Sequence, residues 1–274
     1  MFQRLLFATA LIATALPAQR SAWDEPFPPH RVADNLYHVG SKGLATYLIT
    51  TPEGHFLINS SFERTFPIIK GNIEQLGFKL SDIKILLGSH AHGDHMEGNA
   101  LVQQATGAQV YVMAGDDQLI ANGNGGRWKP CKVDRVLQDG DKATLGGTTL
   151  TAHLTPGHTR GCTTWTMQAV DAGKTYNVMI IGSPNVNDGY QLVNNKEYPE
   201  IAQDFARTFR VLKSLPCEIF LGAHGDYYGL VEKYPRMTSG VNPFIDPAGC
   251  KAYIENREEY YLKVLREQGQ QAAR

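Results

Sequence analysis

Ser89-His90-Ala91-His92-Gly93-Asp94-His95 places four potential metal ligands within six residues. The stretch follows an apolar run, Ile83 to Leu87, that reads as a buried strand, and it leads into Met96 to Ala105, which reads as a helix start. A strand-to-helix loop is where rigid elements hold exposed functional groups in place. In an extended turn His90 and His92 point the same way, because side chains alternate with period two. Those two imidazoles can share one metal ion. Asp94 and His95 follow the bend and are aimed elsewhere, at a second ion. Imidazole nitrogen and carboxylate oxygen are donors that suit zinc. A merely solvated loop has no reason to carry His, His, Asp and His at this spacing straight after a buried strand.

The chain of 274 residues is long enough to bury a sizeable core. Its formal net charge of -1 leaves no nucleic-acid footprint and no polybasic membrane patch. Arg4 followed by the apolar and small-residue run Leu5 to Leu16 reads as a signal peptide cleaved near Ala18. The run is too short to span a bilayer, which takes about 20 apolar residues. Residues 1–18 are therefore expected to be removed, leaving 19–274 as one domain in the periplasm. The expected form is a soluble monomer with no nucleic-acid partner and no membrane anchor after processing.

Export permits disulfides. Cys131, Cys162, Cys217 and Cys250 allow three complete pairings, among which sequence alone does not choose. There is no CxxC pair, which argues against a cysteine-ligated structural zinc.

Outward from the His-rich loop, short β-branched or aromatic segments read as strands: Leu36–Gly40, Thr46–Thr51, His55–Asn59, Gln109–Met113, Val133–Leu137 and Thr148–Leu154. Cys162–Ala169, Tyr176–Ile181 and Glu218–Leu221 join them. Apolar spacing predicts helices over Phe66–Leu76, Asn99–Thr106, Ala114–Ala121, Ile201–Leu215 and Lys251–Gln268. The Gly-rich stretch Asn122-Gly123-Asn124-Gly125-Gly126 reads as a flexible loop and a candidate flap over the site. Strands then helices occur twice, with the halves meeting near Gly147. This predicts an α/β fold: an αβ/βα sandwich of two packed mixed sheets with helices on the outer faces.

Two ions need further ligands. Thr155-Pro156-Gly157-His158-Thr159 and Gly222-Ala223-His224-Gly225-Asp226 each put a histidine at the end of a predicted strand, flanked by small residues. His90-x-His92-x-Asp94-His95 with His158 and His224 resembles the ligand set of the metallo-β-lactamase superfamily, over about Asn35 to Tyr260. Hydrolases of that superfamily such as glyoxalase II and lactonases generally carry an Asp bridging both metals after the strand that follows the second ligand motif. Here Tyr176–Ile181 runs into Gly182-Ser183-Pro184-Asn185, without Asp. This pattern resembles subclass B3, as do Gly189-Tyr190-Gln191-Leu192 and Leu215-Pro216-Cys217 taken with Cys250-Lys251-Ala252-Tyr253.

The resemblance implies two zinc ions: one on His90, His92 and His158, the other on Asp94, His95 and His224. It implies that Ser183 and Asn185 bind the substrate carboxylate, that Asp94 orients the nucleophile, and that Tyr190 donates to the oxyanion. It also implies a Cys217–Cys250 bond. The activity implied is attack of zinc-bound hydroxide on the β-lactam amide of penicillins, cephalosporins and carbapenems, conferring antibiotic resistance. Asn59 stands where the superfamily often has Asp. The alternatives are another hydrolase of the superfamily, such as a lactonase or a glyoxalase II-type thioesterase, and a non-catalytic periplasmic zinc-binding protein. His30, His38, His55 and His153 lack motif context and read as structural or surface residues. Cys162 reads as a buried strand thiol or a partner of Cys131. Trp128 and Trp165 read as core or flap residues, and Trp23 as a candidate cover of the site from the N-terminal segment.

Overall fold

A computed structural model describes residues 21–273; the stretch read as a signal peptide lies outside the described residues. The first sheet has seven strands in chain order: β1 (His30–Ala33), β2 (Leu36–His38), β3 (Tyr47–Thr51), β4 (Gly54–Ile58), β5 (Ile83–Leu87), β6 (Gln109–Met113) and β7 (Arg135–Leu137). Its pairs are antiparallel from β1 to β4 and parallel from β4 to β7. The second sheet is built from β8 (Lys142–Leu145), β9 (Thr148–Leu154), β10 (Thr163–Asp171), β11 (Lys174–Ile181) and β12 (Ile219–Gly222), ordered β12-β11-β10-β9-β8. Only β11 and β12 pair in parallel. The main helices are α1 (Phe66–Gln75), α2 (Asn99–Thr106), α3 (Ile201–Ser214) and α4 (Pro247–Ala272).

Period-two alternation explains the layers. Tyr47, Ile49, Phe56 and Ile58 join Leu150, Trp165, Met179 and Phe220 of the second sheet in the larger core. Leu48 and Leu57, on the opposite face of the same strands, pack with Ile69 and Ile73 of α1 and Val102 of α2. Phe205 and Phe209 of α3 meet Tyr261 of α4 at ring separations of 5.7 and 5.6 Å. The expected αβ/βα sandwich is present. No helix among the described residues is long and apolar enough to cross a membrane.

Three local expectations change. The chain passes to the second sheet between Leu137 and Lys142, before Gly147, because Lys142–Leu145 is itself a strand. Both strands absent from the sequence reading, β1 and β8, are short sheet edges whose mixed polar residues give little periodic signal. The 122–126 segment is a compact turn held by Asn122 Oδ1 accepting from Gly125 N at 2.9 Å, and it contributes nothing to the lining of the main cleft. Its glycines Gly123, Gly125 and Gly126 take positive φ.

The Cys217–Cys250 disulfide spans 33 residues and ties the entry to β12 to the first turn of α4. Cys131 and Cys162 are separate buried thiols, so the pairing between them is absent. Burial pushes the Cys162 thiol up to about 12, which leaves it protonated.

Candidate metal centre

The ligand loops leave the carboxyl ends of neighbouring strands, where backbone groups freed from the ladders need new partners. Beyond β5, Ser89 N donates to Asn59 Oδ1 at 2.9 Å, and Asn59 Nδ2 donates to Ala45 O at 3.2 Å. Asn59 sits at φ 66°, a left-handed conformation that Asn tolerates better than most residues. Asn59 thus holds the loop through its amide, at the position where the resemblance implies that relatives often carry Asp. Thr163 N donates to Ser89 O at 2.7 Å, joining the loop to the second sheet. His92 is extended, and the helical turn Gly93–Met96 then redirects the chain. This bend separates His90 and His92 from Asp94 and His95, as their spacing predicts. The His95 carbonyl accepts from Ser60 N and Ser61 N, fixing the turn from below.

Asp116 was not legible as a site residue, since its stretch reads only as helical. It is buried, and its Oδ2 accepts from Ala91 N at 2.8 Å and from Thr159 Oγ1 at 2.7 Å. Its Oδ1 accepts from Gly161 N at 2.8 Å. One carboxylate therefore clasps the loop of His90 and His92 to the loop of His158. Gly157, just before His158, has φ 119°, and a Cβ there would lie 2.7 Å from the Phe205 ring. Only glycine fits this approach.

The six expected ligands converge as two adjoining groups. Donor atoms of His90, His92 and His158 lie within 4.8 Å of one another. His90 Nε2 is buried with no hydrogen-bond partner, an orphan atom that a bound cation would satisfy. His158 Nδ1 donates to Asn185 O at 2.7 Å, which leaves Nε2 unprotonated for a metal. In the second group, His95 Nε2 lies 3.1 Å from both Asp94 Oδ2 and His224 Nε2, and His224 Nε2 lies 3.4 Å from the same Asp94 oxygen. Bonds of about 2.0–2.1 Å to a tetrahedral zinc give ligand separations of about 3.3–3.4 Å. The donor set therefore fits that ion. His90, Asp94 and His95 also have donor atoms within 4.8 Å of one another, so the two groups share a border.

Electrostatics agree with ligation. Burial, then neighbouring imidazoles, hold His90 well below its ordinary range. Burial and His92 bring His158 down to about 3, and burial and His95 bring His224 down to about 3. Neutral imidazole is the ligating form. Burial would raise Asp94, but contact with His95, then His224 and His92, outweighs it and keeps the carboxyl below its usual range.

The two groups open into a cleft of about 590 Å³ whose lining includes His92, Asp94, His158, Asn185, His224 and Tyr227. Ser183 does not line it: the residue is 1% exposed and lies behind the wall. Tyr190 donates its hydroxyl to His158 O at 2.8 Å, away from the cleft space where an oxyanion donor was expected. Tyr227 was missed by sequence reasoning, although it falls three residues after the expected ligand His224. Trp23 reaches the rim of the cleft, 5.7 Å from the His224 ring. The rim segment is tied down by Gly43 N to Ala22 O at 2.8 Å and by Arg64 to Asp24 at 2.8 Å. Trp165 is core, donating Nε1–H to Gly88 O at 3.0 Å.

Residues 44–170 match the model of the metallo-β-lactamase superfamily. The native metallo-β-lactamase FEZ-1 from Legionella gormanii is 50% identical, with 90% of this chain and 98% of that one covered and a TM-score of 0.88. The class B3 di-zinc metallo-β-lactamase LRA-12, from an Alaskan soil metagenome, is 31% identical over 90% of this chain and 98% of its own, with a TM-score of 0.85. Among curated proteins, a hydroxyacylglutathione hydrolase of Hyphomonas neptunium is 33% identical over 88 residues, 32% of this chain. The match spans only 29% of that hydrolase's length.

Proposed function

The chain belongs to the metallo-β-lactamase superfamily, subclass B3, and from that premise we propose that it hydrolyses the β-lactam amide of penicillins, cephalosporins and carbapenems. The observation that carries this reading is the pair of adjoining donor groups in the wall of one open cleft, with no carboxylate at 182–185 to bridge them. His90, His92 and His158 would hold one zinc, and Asp94, His95 and His224 the other. When bound, such ions polarise a carbonyl and lower the pKa of water from about 15.7 towards about 7. Asp94, held ionised and facing the cleft, orients the attacking water. Asn185 meets the substrate from the cleft wall, and Ser183 supports it from behind. Tyr190 braces the His158 backbone through its 2.8 Å bond, a positioning role in place of oxyanion donation.

The openness of both donor groups to the cleft favours catalysis over zinc storage, because structural zinc sites are closed by protein ligands. A periplasmic location after removal of the leader, and a contribution to antibiotic resistance, complete the proposal. The second reading is a thioester hydrolase, favoured by the short hydroxyacylglutathione hydrolase match. Chelation should abolish β-lactam turnover, and zinc should restore it. Undiminished turnover in a verified metal-free sample would refute the proposal.

A further inference from the structure

We propose that the Tyr227 hydroxyl is the donor that grips the substrate carboxylate, with Ser183 and Asn185 arranged behind it; this rests on the β-lactam reading above. The expected carboxylate site was Ser183 with Asn185, but Ser183 is buried, whereas Tyr227 lines the cleft beside His224.

The hydrogen-bond inventory aims the phenol outward. Asn185 Nδ2 donates to Tyr227 Oη at 2.7 Å. Ser183 Oγ lies 3.2 Å from the same oxygen and can donate to it. A phenolic hydroxyl has two acceptor sites and one proton. When Ser183 takes the donor role, both acceptor sites are filled from behind and the phenolic proton is left for a ligand in the cleft. Asn185 Oδ1 faces the Tyr253 hydroxyl at 3.5 Å, which keeps the Asn185 amide turned with its NH2 toward Tyr227.

The ring is also fixed in place. It stacks on Tyr253 at 5.0 Å and 27° and lies 5.0 Å from the His224 ring. Backbone closes the remaining side: a Cβ on Gly222 would come within 2.8 Å of the Tyr227 ring. A preorganised donor of this kind loses little on binding. Lys42, the lysine on the cleft wall, is held by both Glu25 carboxylate oxygens at 3.0 and 3.1 Å. Asp226 and Glu232 share that wall, so a neutral donor has to do the work of a cation.

The test compares wild type, Tyr227→Phe and Ser183→Ala on a penicillin free acid and on its methyl ester. Zinc content is measured on each sample, and binding of the hydrolysed penicillin is measured by calorimetry. Tyr227→Phe should raise KM for the acid about 10- to 100-fold, the loss of one hydrogen bond to a charged group. It should leave kcat and zinc content unchanged, weaken product binding by the same factor, and leave the ester unaffected. Ser183→Ala should have the smaller effect. Unchanged KM and product binding in Tyr227→Phe would overturn the inference, as would loss of zinc with a fall in kcat, which would make Tyr227 a support for His224. A wild-type enzyme inert toward every β-lactam would instead refute the functional reading.

Discussion

Replacing Asp116 by Asn should loosen the first donor group without touching a ligand. Asp116 accepts three hydrogen bonds, from Ala91 N, Thr159 Oγ1 and Gly161 N, at 2.7–2.8 Å in a site that is 1% exposed. Asn has nearly the same shape but replaces one acceptor oxygen with an NH2. If the amide oxygen stays toward Ala91 and Thr159, the NH2 faces the Gly161 N–H. If it flips, the NH2 faces the Ala91 N–H, and only the Thr159 hydroxyl can rotate to accept. Either way one buried backbone donor loses its partner, at a cost of about 1–3 kcal/mol. Weakening of the other charge-assisted bonds brings the total to about 2–4 kcal/mol. Ala91 lies between His90 and His92, and Thr159 follows His158, so part of that cost appears in metal binding. Zinc affinity should fall about 10- to 100-fold, the usual consequence of losing a group that orients ligands. Competition against a chromophoric chelator measures this, and thermal unfolding of the zinc-free protein measures the rest. A zinc affinity within twofold of wild type and an unchanged Tm would refute the clasp.

His224→Ala should retain one tightly bound zinc per chain, and metal analysis finding two would contradict the division of ligands. His38 is buried against His30, and burial, then His30, hold it well below its ordinary range despite the Ser41 backbone bond. The folded state therefore binds fewer protons than the unfolded chain below about pH 6.5, so stability falls as pH drops through that window. This contribution is at most about 1.4 kcal/mol per pH unit, and His38→Phe should flatten the dependence of Tm on pH relative to wild type. Loss of the Cys217–Cys250 bond frees a loop of 33 residues, with an expected cost of about 3–4 kcal/mol. An equal Tm for Cys250→Ser would show that the bond does not stabilise the fold.

The site was legible where its information is local. His90, His92, Asp94 and His95 declare themselves through spacing after an apolar strand, and the two later histidines through small neighbours at strand ends. Asp116 does not, because its partners Ala91 and Gly161 lie 25 and 45 residues away. Tyr227 is hidden for the same reason, meeting Ser183 and Asn185 across 44 and 42 residues. Depth is equally invisible in a sequence: Ser183 falls at the expected position yet lies behind the cleft wall. Tyr190 is spent on the His158 carbonyl. In the fold, long apolar strands such as β5 and β11 were legible, whereas the edges β1 and β8 were not. Each of the two has only four residues, and polar side chains (His30 and Arg31, Lys142 and Thr144) interrupt the apolar pattern.

The central claim is that the paired donor groups serve β-lactam hydrolysis. The most direct measurement is a steady-state panel of a penicillin, a carbapenem, a lactone and a glutathione thioester, with zinc content determined on the same sample. Two zinc ions per chain should accompany turnover of both β-lactams at kcat/KM above about 10⁴ M⁻¹s⁻¹, with the lactone and thioester far slower. Rapid thioester or lactone turnover beside inert β-lactams would contradict it.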